Sequence, residues 1–189
     1  MFLKFSLIFF LTFLKISEGI LKVDIFLESE CKSSKQFLQE QIKPNYEQIK
    51  GDVLLTFVPF GKSHSITNTS GIFFECQHGH FECHNNIFLS CALNLITESD
   101  LRTQFMICAM DYSTPLNHCA SEVGLKIREV HECAESNDGI ELQLENEKKT
   151  TPIIEMSGHV PTIVFNEIYD KNDDEKAFMN FLEIVKEKI

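Results

Sequence analysis

Positive charge is scarce in this chain. Its 17 Lys and Arg stand against 28 Asp and Glu, a net charge of −11 over 189 residues. A nucleic-acid binder normally carries a basic stripe, so no nucleic-acid partner is expected. Long apolar runs are also lacking. Beyond the first 19 residues no stretch is apolar enough to cross a bilayer, which takes roughly 20 consecutive apolar residues. The chain is not poor in core-forming residues, however. Hydrophobic types make up 43% of it, with 17 Phe among them, which excludes a disordered polypeptide. The length suits one domain with room for an embedded subdomain, and such a chain buries a core without a structural metal.

The first 19 residues bear on the compartment. Lys4 gives a positive start, Phe5 to Leu14 form an apolar run, and Ser17 and Gly19 are small residues at positions −3 and −1 before Ile20. This is the pattern of a secretory signal peptide over residues 1–19, leaving a mature chain of 20–189. A buried N-terminal helix or a membrane anchor is the competing reading, and the apolar run is short for a span. Seven cysteines follow: Cys31, Cys76, Cys83, Cys91, Cys108, Cys119 and Cys133. In a secreted or lumenal protein most of them pair. Six make three disulfides in any of fifteen pairings, which leaves Cys31 as the odd thiol. Alternatively, one of the six is also free and acts as a distant resolving thiol. Asn68-Thr69-Ser70 is an acceptor sequence for N-glycosylation, which places Asn68 in an exposed loop.

Residues 22–28 alternate around β-formers and predict a strand ending just before Cys31. Ser33 to Ile42 predicts a helix, with Ser33 and Gln36 as a capping box and Pro44 as its stop. Asp52 to Phe60 is apolar throughout and predicts a second strand, central in its sheet. The unit is strand, cysteine, helix, strand, with the cysteine at the helix start. Residues 61–150 hold the other six cysteines and lack sustained strand patterning. Within them Asn86 to Leu95 and Glu98 to Met110 predict helices, and Asn137-Asp138-Gly139 predicts a turn in a polar stretch, 134–151. Val160 to Phe165 predicts a strand that begins at Pro161. Asn172 to Asp174 then cap a last helix, Glu175 to Ile189, whose Phe178, Phe181, Leu182, Val185 and Ile189 recur at helical spacing. The fold class is α/β, with a cysteine-rich, mainly helical insertion at about 61–150.

Cys76 to Cys91 reads Cys-Gln-His-Gly-His-Phe-Glu-Cys-His-Asn-Asn-Ile-Phe-Leu-Ser-Cys. It matches in full the signature C-Q-H-G-x2-E-C-x2-N-x4-C, at Cys76, Gln77, His78, Gly79, Glu82, Cys83, Asn86 and Cys91. On that motif the chain resembles the gamma-interferon-inducible lysosomal thiol reductase family. Val58-Pro59-Phe60-Gly61, Phe105 to Cys108, Cys119, Glu132-Cys133-Ala134 and Val160-Pro161 extend the likeness over most of the mature chain. The resemblance implies a thioredoxin-like fold and a thiol oxidoreductase acting on protein disulfides, secreted or in the lysosomal or endosomal lumen. By analogy with such folds, Pro161 is a cis-proline facing the reactive cysteine.

Family members usually carry C-x-x-C after the first strand. Here the segment is Cys31-Lys32-Ser33-Ser34, so the nucleophile is kept and the resolving position is serine. Cys31 stands at the positive end of a helix, with Lys32 and Lys35 close in sequence. Its thiolate can attack a substrate disulfide and form a mixed disulfide, but Ser34 cannot release it. Release then needs a small external thiol, or a second thiol on the substrate, which amounts to isomerisation. No cofactor is expected. Two functions stay open: a single-thiol oxidoreductase or isomerase, and a redox-inactive binder of unfolded or disulfide-bonded polypeptides. Cys76, His78, His80, Cys83 and His84 invite a zinc reading, yet the spacing is not that of a structural zinc site and no metal is expected. His159 precedes the proline and either lies near Cys31 or is an exposed loop histidine.

Overall fold

The computed structural model describes residues 19–189, so the predicted signal peptide lies outside the described residues except for Gly19. The chain opens with strand β1 (Leu21–Leu27) and helix α1 (Lys32–Phe37), which continues as a π-helical segment, Leu38–Ile42. A short helix α2 (Tyr46–Ile49) leads to β2 (Val53–Pro59), then to a hairpin of β3 (His64–Asn68) and β4 (Gly71–Glu75). Five helices follow: α3 (His80–Leu95), α4 (Ser99–Ala109), α5 (Leu116–Glu122), α6 (Ile127–Ala134) and α7 (Asn137–Ser157). Strand β5 (Thr162–Phe165) and helices α8 (Lys171–Met179) and α9 (Phe181–Lys188) close the chain.

The main sheet runs β2-β1-β5. β1 pairs in parallel with β2, Leu21 opposite Val53 and Leu27 opposite Pro59, and antiparallel with β5, Val23 opposite Phe165. The strand read as central, β2, is therefore an edge of this sheet. The helical crossover sets β2 on one side of β1 and the returning chain adds β5 on the other. One face is partly open, with Leu54 and Thr56 of β2 exposed beside Lys22 and Asp24 of β1, whereas Val23, Ile25 and Leu27 of β1 lie opposite the buried Leu55, Phe57 and Pro59. Phe37 closes the core at the helix side, edge to face with Phe181 at 5.7 Å.

Several boundaries differ from the sequence reading. Cys31, not Ser33, is the N-cap of α1, and Gln36 bonds to Glu40 rather than closing a capping box. Asn137-Asp138-Gly139 is no turn but the first turn of the 21-residue α7. Ser136 accepts from the Asp138 amide as its cap, and a side chain at Gly139 would meet Cys133 O at 2.7 Å and Ile87 at 2.9 Å. The glycine is there to let α7 start against α3 and α6. The terminal helix is two helices, because the Asn180 side chain accepts from Glu183 N and begins α9 afresh. Asp170, not Asn172 to Asp174, caps α8. The β3–β4 hairpin went unread because its strands are mostly exposed and only two residues of β4, Ile72 and Phe74, form a half-buried apolar face.

Three disulfides tie the helical segment together. Cys91–Cys133 joins α3 to α6, Cys108–Cys119 joins α4 to α5, and Cys76–Cys83 joins the end of β4 to α3. Cys31 alone is unpaired among the described residues. The pairing removes Cys76 and Cys83 from the zinc reading.

Candidate active site

Cys31 sits where β1 gives way to α1, 9% exposed. Its amide donates to Glu28 O and its carbonyl accepts from Lys35 N, so both sides of the cysteine are fixed. Its Sγ lies 3.9 Å from Val160 O. The Val160–Pro161 peptide is cis and Pro161 is buried, so the proline loop faces the cysteine. Ser34 is fully buried, one turn into α1, and its Oγ accepts from Glu28 N at 3.4 Å. Glu28 thus contacts both ends of the Cys-x-x-Ser segment through its backbone. Lys35 is turned to Glu30, Nζ to Oε2 at 3.0 Å, and Lys32 is exposed.

The signature residues hold the loop that leads into Cys31. Ser29 N donates to Asn86 Oδ1 at 2.9 Å, and Ser29 Oγ donates to Glu82 O at 3.3 Å. Both Glu82 and Asn86 are fully buried. Being four apart on α3, they share one face of the helix. The neighbouring Asn85 donates to Glu30 Oε1 at 2.8 Å. Gly79 is the N-cap of α3, with φ 87°, a conformation that glycine adopts without strain. His78 stands just before it and gives its amide to Glu82 Oε1 at 3.0 Å and its ring Nδ1 to Glu82 Oε2 at 2.6 Å. Gln77, His80 and His84 are exposed.

Glu28 is a site residue that the sequence reading missed. It is fully buried, with Oε1 accepting from Lys62 N at 2.6 Å and Oε2 3.4 Å from His78 Nδ1. Burial pushes its carboxyl above the usual carboxylate range, and the Glu82 charge adds to this. Its room is made by Gly61 (φ 63°), where a Cβ would overlap Glu28 Cγ. The only sequence signal was an acidic residue at the end of the strand, following the apolar run Ile25-Phe26-Leu27.

His159 is half-exposed and engaged elsewhere. Its Nε2 is 3.1 Å from Asp174 Oδ2 and its Nδ1 2.9 Å from Ser157 O. Since a carbonyl oxygen only accepts, the Nδ1–H of His159 points to Ser157, and Asp174 Oδ2 has no hydrogen-bond partner despite the approach of Nε2. Asp174 is buried and its Oδ1 accepts from Ile163 N in β5. Beside the Glu30–Lys35 pair opens a cavity of about 500 Å³, lined among others by Ser29, Asn85, Tyr112 and His131. Asn68 is exposed at the tip of the β3–β4 hairpin, its Oδ1 accepting from Ser70 N.

A family model described as gamma interferon inducible lysosomal thiol reductase (GILT) matches residues 22–137. The chain is 34% identical over 178 residues to GILT-like protein 1 of Drosophila melanogaster, covering 85% of this chain and 71% of that one. It is 31% identical over 164 residues to the gamma-interferon-inducible lysosomal thiol reductase-like protein of Anopheles gambiae, covering 78% and 68%. Among solved structures, Chlamydia trachomatis DsbA superposes with a TM-score of 0.56 at 12% identity, covering 86% of this chain and 87% of that one. The fold is thioredoxin-like.

Proposed function

Since the chain belongs to the gamma-interferon-inducible lysosomal thiol reductase family, we propose that it acts on protein disulfides through Cys31 alone. One observation carries this reading: Cys31 is the single unpaired cysteine, held at the start of α1 with its sulfur toward the cis-proline loop. In the first step the Cys31 thiolate attacks one sulfur of a substrate disulfide. A Cys31–sulfur bond forms, the substrate disulfide breaks, and the other substrate sulfur leaves as a thiolate that takes up a proton. Ser34 occupies the resolving position and cannot form a disulfide. The second step therefore belongs to a small external thiol, giving net reduction, or to a second substrate thiol, giving isomerisation.

The buried Ser34 also favours the second reading, a family member that binds such polypeptides without turnover. Trapping separates the two. Incubated with a disulfide-bonded protein and no small thiol, the wild type accumulates a covalent complex that reductant dissolves, and Cys31→Ser forms none. Ser34→Cys clears the complex and raises turnover. If wild type and Cys31→Ser behave alike in both trapping and turnover, the binding reading takes the lead.

The same reading places the mature protein outside the cell or in the endosomal or lysosomal lumen, where its three disulfides persist. Protein from a eukaryotic secretory host then begins near Ile20 and carries a glycan on Asn68, seen as an endoglycosidase-sensitive mass shift. A full-length product with reduced cysteines contradicts this placement.

A further inference from the structure

Glu28 and the signature pair His78 and Glu82 come from distant stretches of chain and meet below the loop that enters Cys31. Three inward atoms converge. His78 Nδ1 lies 2.6 Å from Glu82 Oε2 and 3.4 Å from Glu28 Oε2, and all three fall within 4.8 Å of one another. Each carboxylate is already oriented by its other oxygen. Lys62 N donates to Glu28 Oε1 and His78 N donates to Glu82 Oε1. Both Oε2 atoms are thereby turned to the same imidazole nitrogen. That nitrogen carries one proton at most, and Glu82 Oε2 receives it. Glu28 Oε2 is left fully buried with no hydrogen-bond partner. A buried oxygen in that condition is costly, and it marks a missing donor or cation.

We propose that Glu28, His78 and Glu82 form a divalent-cation site, with zinc as the ion that suits it best. A cation in place of the Nδ1 proton gives all three inward atoms a partner at once, including the orphaned Glu28 Oε2. One imidazole nitrogen with two carboxylate oxygens is a donor set zinc accepts, at about 2.0–2.2 Å. The two carboxylates balance its charge. The amide bonds to both Oε1 atoms are the outer support that fixes ligating carboxylates. His78 has a side chain 37% exposed, which leaves solvent access for entry and for a water as fourth ligand. The ion would link the end of β1 to the start of α3, bracing the Glu28–Cys31 loop. The site uses neither Cys31 nor any disulfide, so it stands apart from the thiol chemistry proposed above.

The test is calorimetric titration of zinc chloride at neutral pH into the chelator-treated, disulfide-intact mature protein. It is done in the Cys31→Ser form, so that no free thiol competes for metal. One ion per chain is expected, together with a higher thermal midpoint. His78→Ala and Glu28→Gln each weaken binding by about tenfold or more. His64→Ala, which disrupts only the exposed His64–Glu75 pair, leaves it unchanged. Absence of saturable binding overturns the proposal, as does equal affinity in wild type and His78→Ala. Circular dichroism checks the fold of each variant. If Glu28→Gln fails to fold, the half-exposed His78→Ala decides the matter.

Discussion

Removing the disulfides one pair at a time yields a ranked loss of stability that the pairing itself dictates. A cross-link restricts the unfolded chain more when it encloses a longer loop. The three bridges span separations of 42, 11 and 7 residues for Cys91–Cys133, Cys108–Cys119 and Cys76–Cys83. The loop-entropy relation then gives about 4, 2.7 and 2.4 kcal/mol respectively near room temperature. Packing widens the gap between the first and last. Cys91 and Cys119 are fully buried in the main core, whereas Cys83 keeps 8% exposure and lies outside it. Replacing Cys91 by Ala therefore also leaves a void among core side chains. Against a total of roughly 5–15 kcal/mol for a domain, losing the α3–α6 bridge removes a quarter or more of the stability. The assay is urea unfolding of double Cys→Ala variants in a Cys31→Ser background, which prevents thiol exchange. Free energies in water are compared rather than midpoints, because an uncrosslinked chain exposes more surface and has a steeper slope. If the Cys76–Cys83 variant loses as much as the Cys91–Cys133 variant, then loop length and core burial do not govern these bridges.

Asn86→Ala leaves the buried Ser29 amide without its acceptor, at a cost of about 1–3 kcal/mol. The rate of Cys31 alkylation in the folded state changes with it, and an unchanged rate and stability would remove Asn86 from the site. Gly61→Ala drives a Cβ into Glu28 and strains a left-handed backbone position; Glu28→Ala relieves the overlap but not the strain, so a double-mutant cycle shows partial rescue, and simple additivity would refute the contact. Burial raises the Asp174 carboxyl pKa above its usual value, with the His159 contact opposing. A raised folded-state pKa contributes stability that is full below the unfolded value, about 3.9, and is lost as pH rises through the folded value. Thermal midpoints of the wild type therefore carry a decline from that point upward that Asp174→Asn lacks, and identical pH slopes for the two proteins would contradict this.

The parts of the fold that were legible in the sequence are those where one physical signal dominated. β1 and the late strand at Pro161 read correctly because their apolar residues are buried, most in the main core and Phe26 and Val164 in a smaller cluster with Val58. Cys31 stood out as the odd one of seven cysteines, apart from the six clustered between 76 and 133. The misread elements each involve a neighbour remote in sequence. Gly139 looked like a turn residue, but it is small because Cys133 O and Ile87 press on it. β2 looked central because it is apolar, yet only the order of the sheet shows which strand lies in the middle. Glu28 could not be recognised as a site residue at all, because its partners Gly61, Lys62, His78 and Glu82 lie 33 to 54 positions further on.

The signature itself becomes intelligible as spacing on a helix. Four of its fixed residues, Cys83, Glu82, Asn86 and Cys91, lie on α3, and Gly79 caps it. Glu82 and Asn86 differ by four positions, one helical turn, and both reach Ser29: Asn86 holds its amide with the side chain, while Glu82 receives its hydroxyl at the backbone carbonyl and turns its carboxylate to His78. Cys91 lies further along the helix and ties it to α6. Cys83 ties its start to the end of β4. The helix that clamps the Cys31 loop is thus anchored at two points by covalent bonds. None of these residues needs to take part in thiol exchange for the spacing to matter. A one-residue insertion between Glu82 and Asn86 would rotate one of them by about 100° off the Ser29 face, and Ser29 would lose one of its two hydrogen bonds to α3.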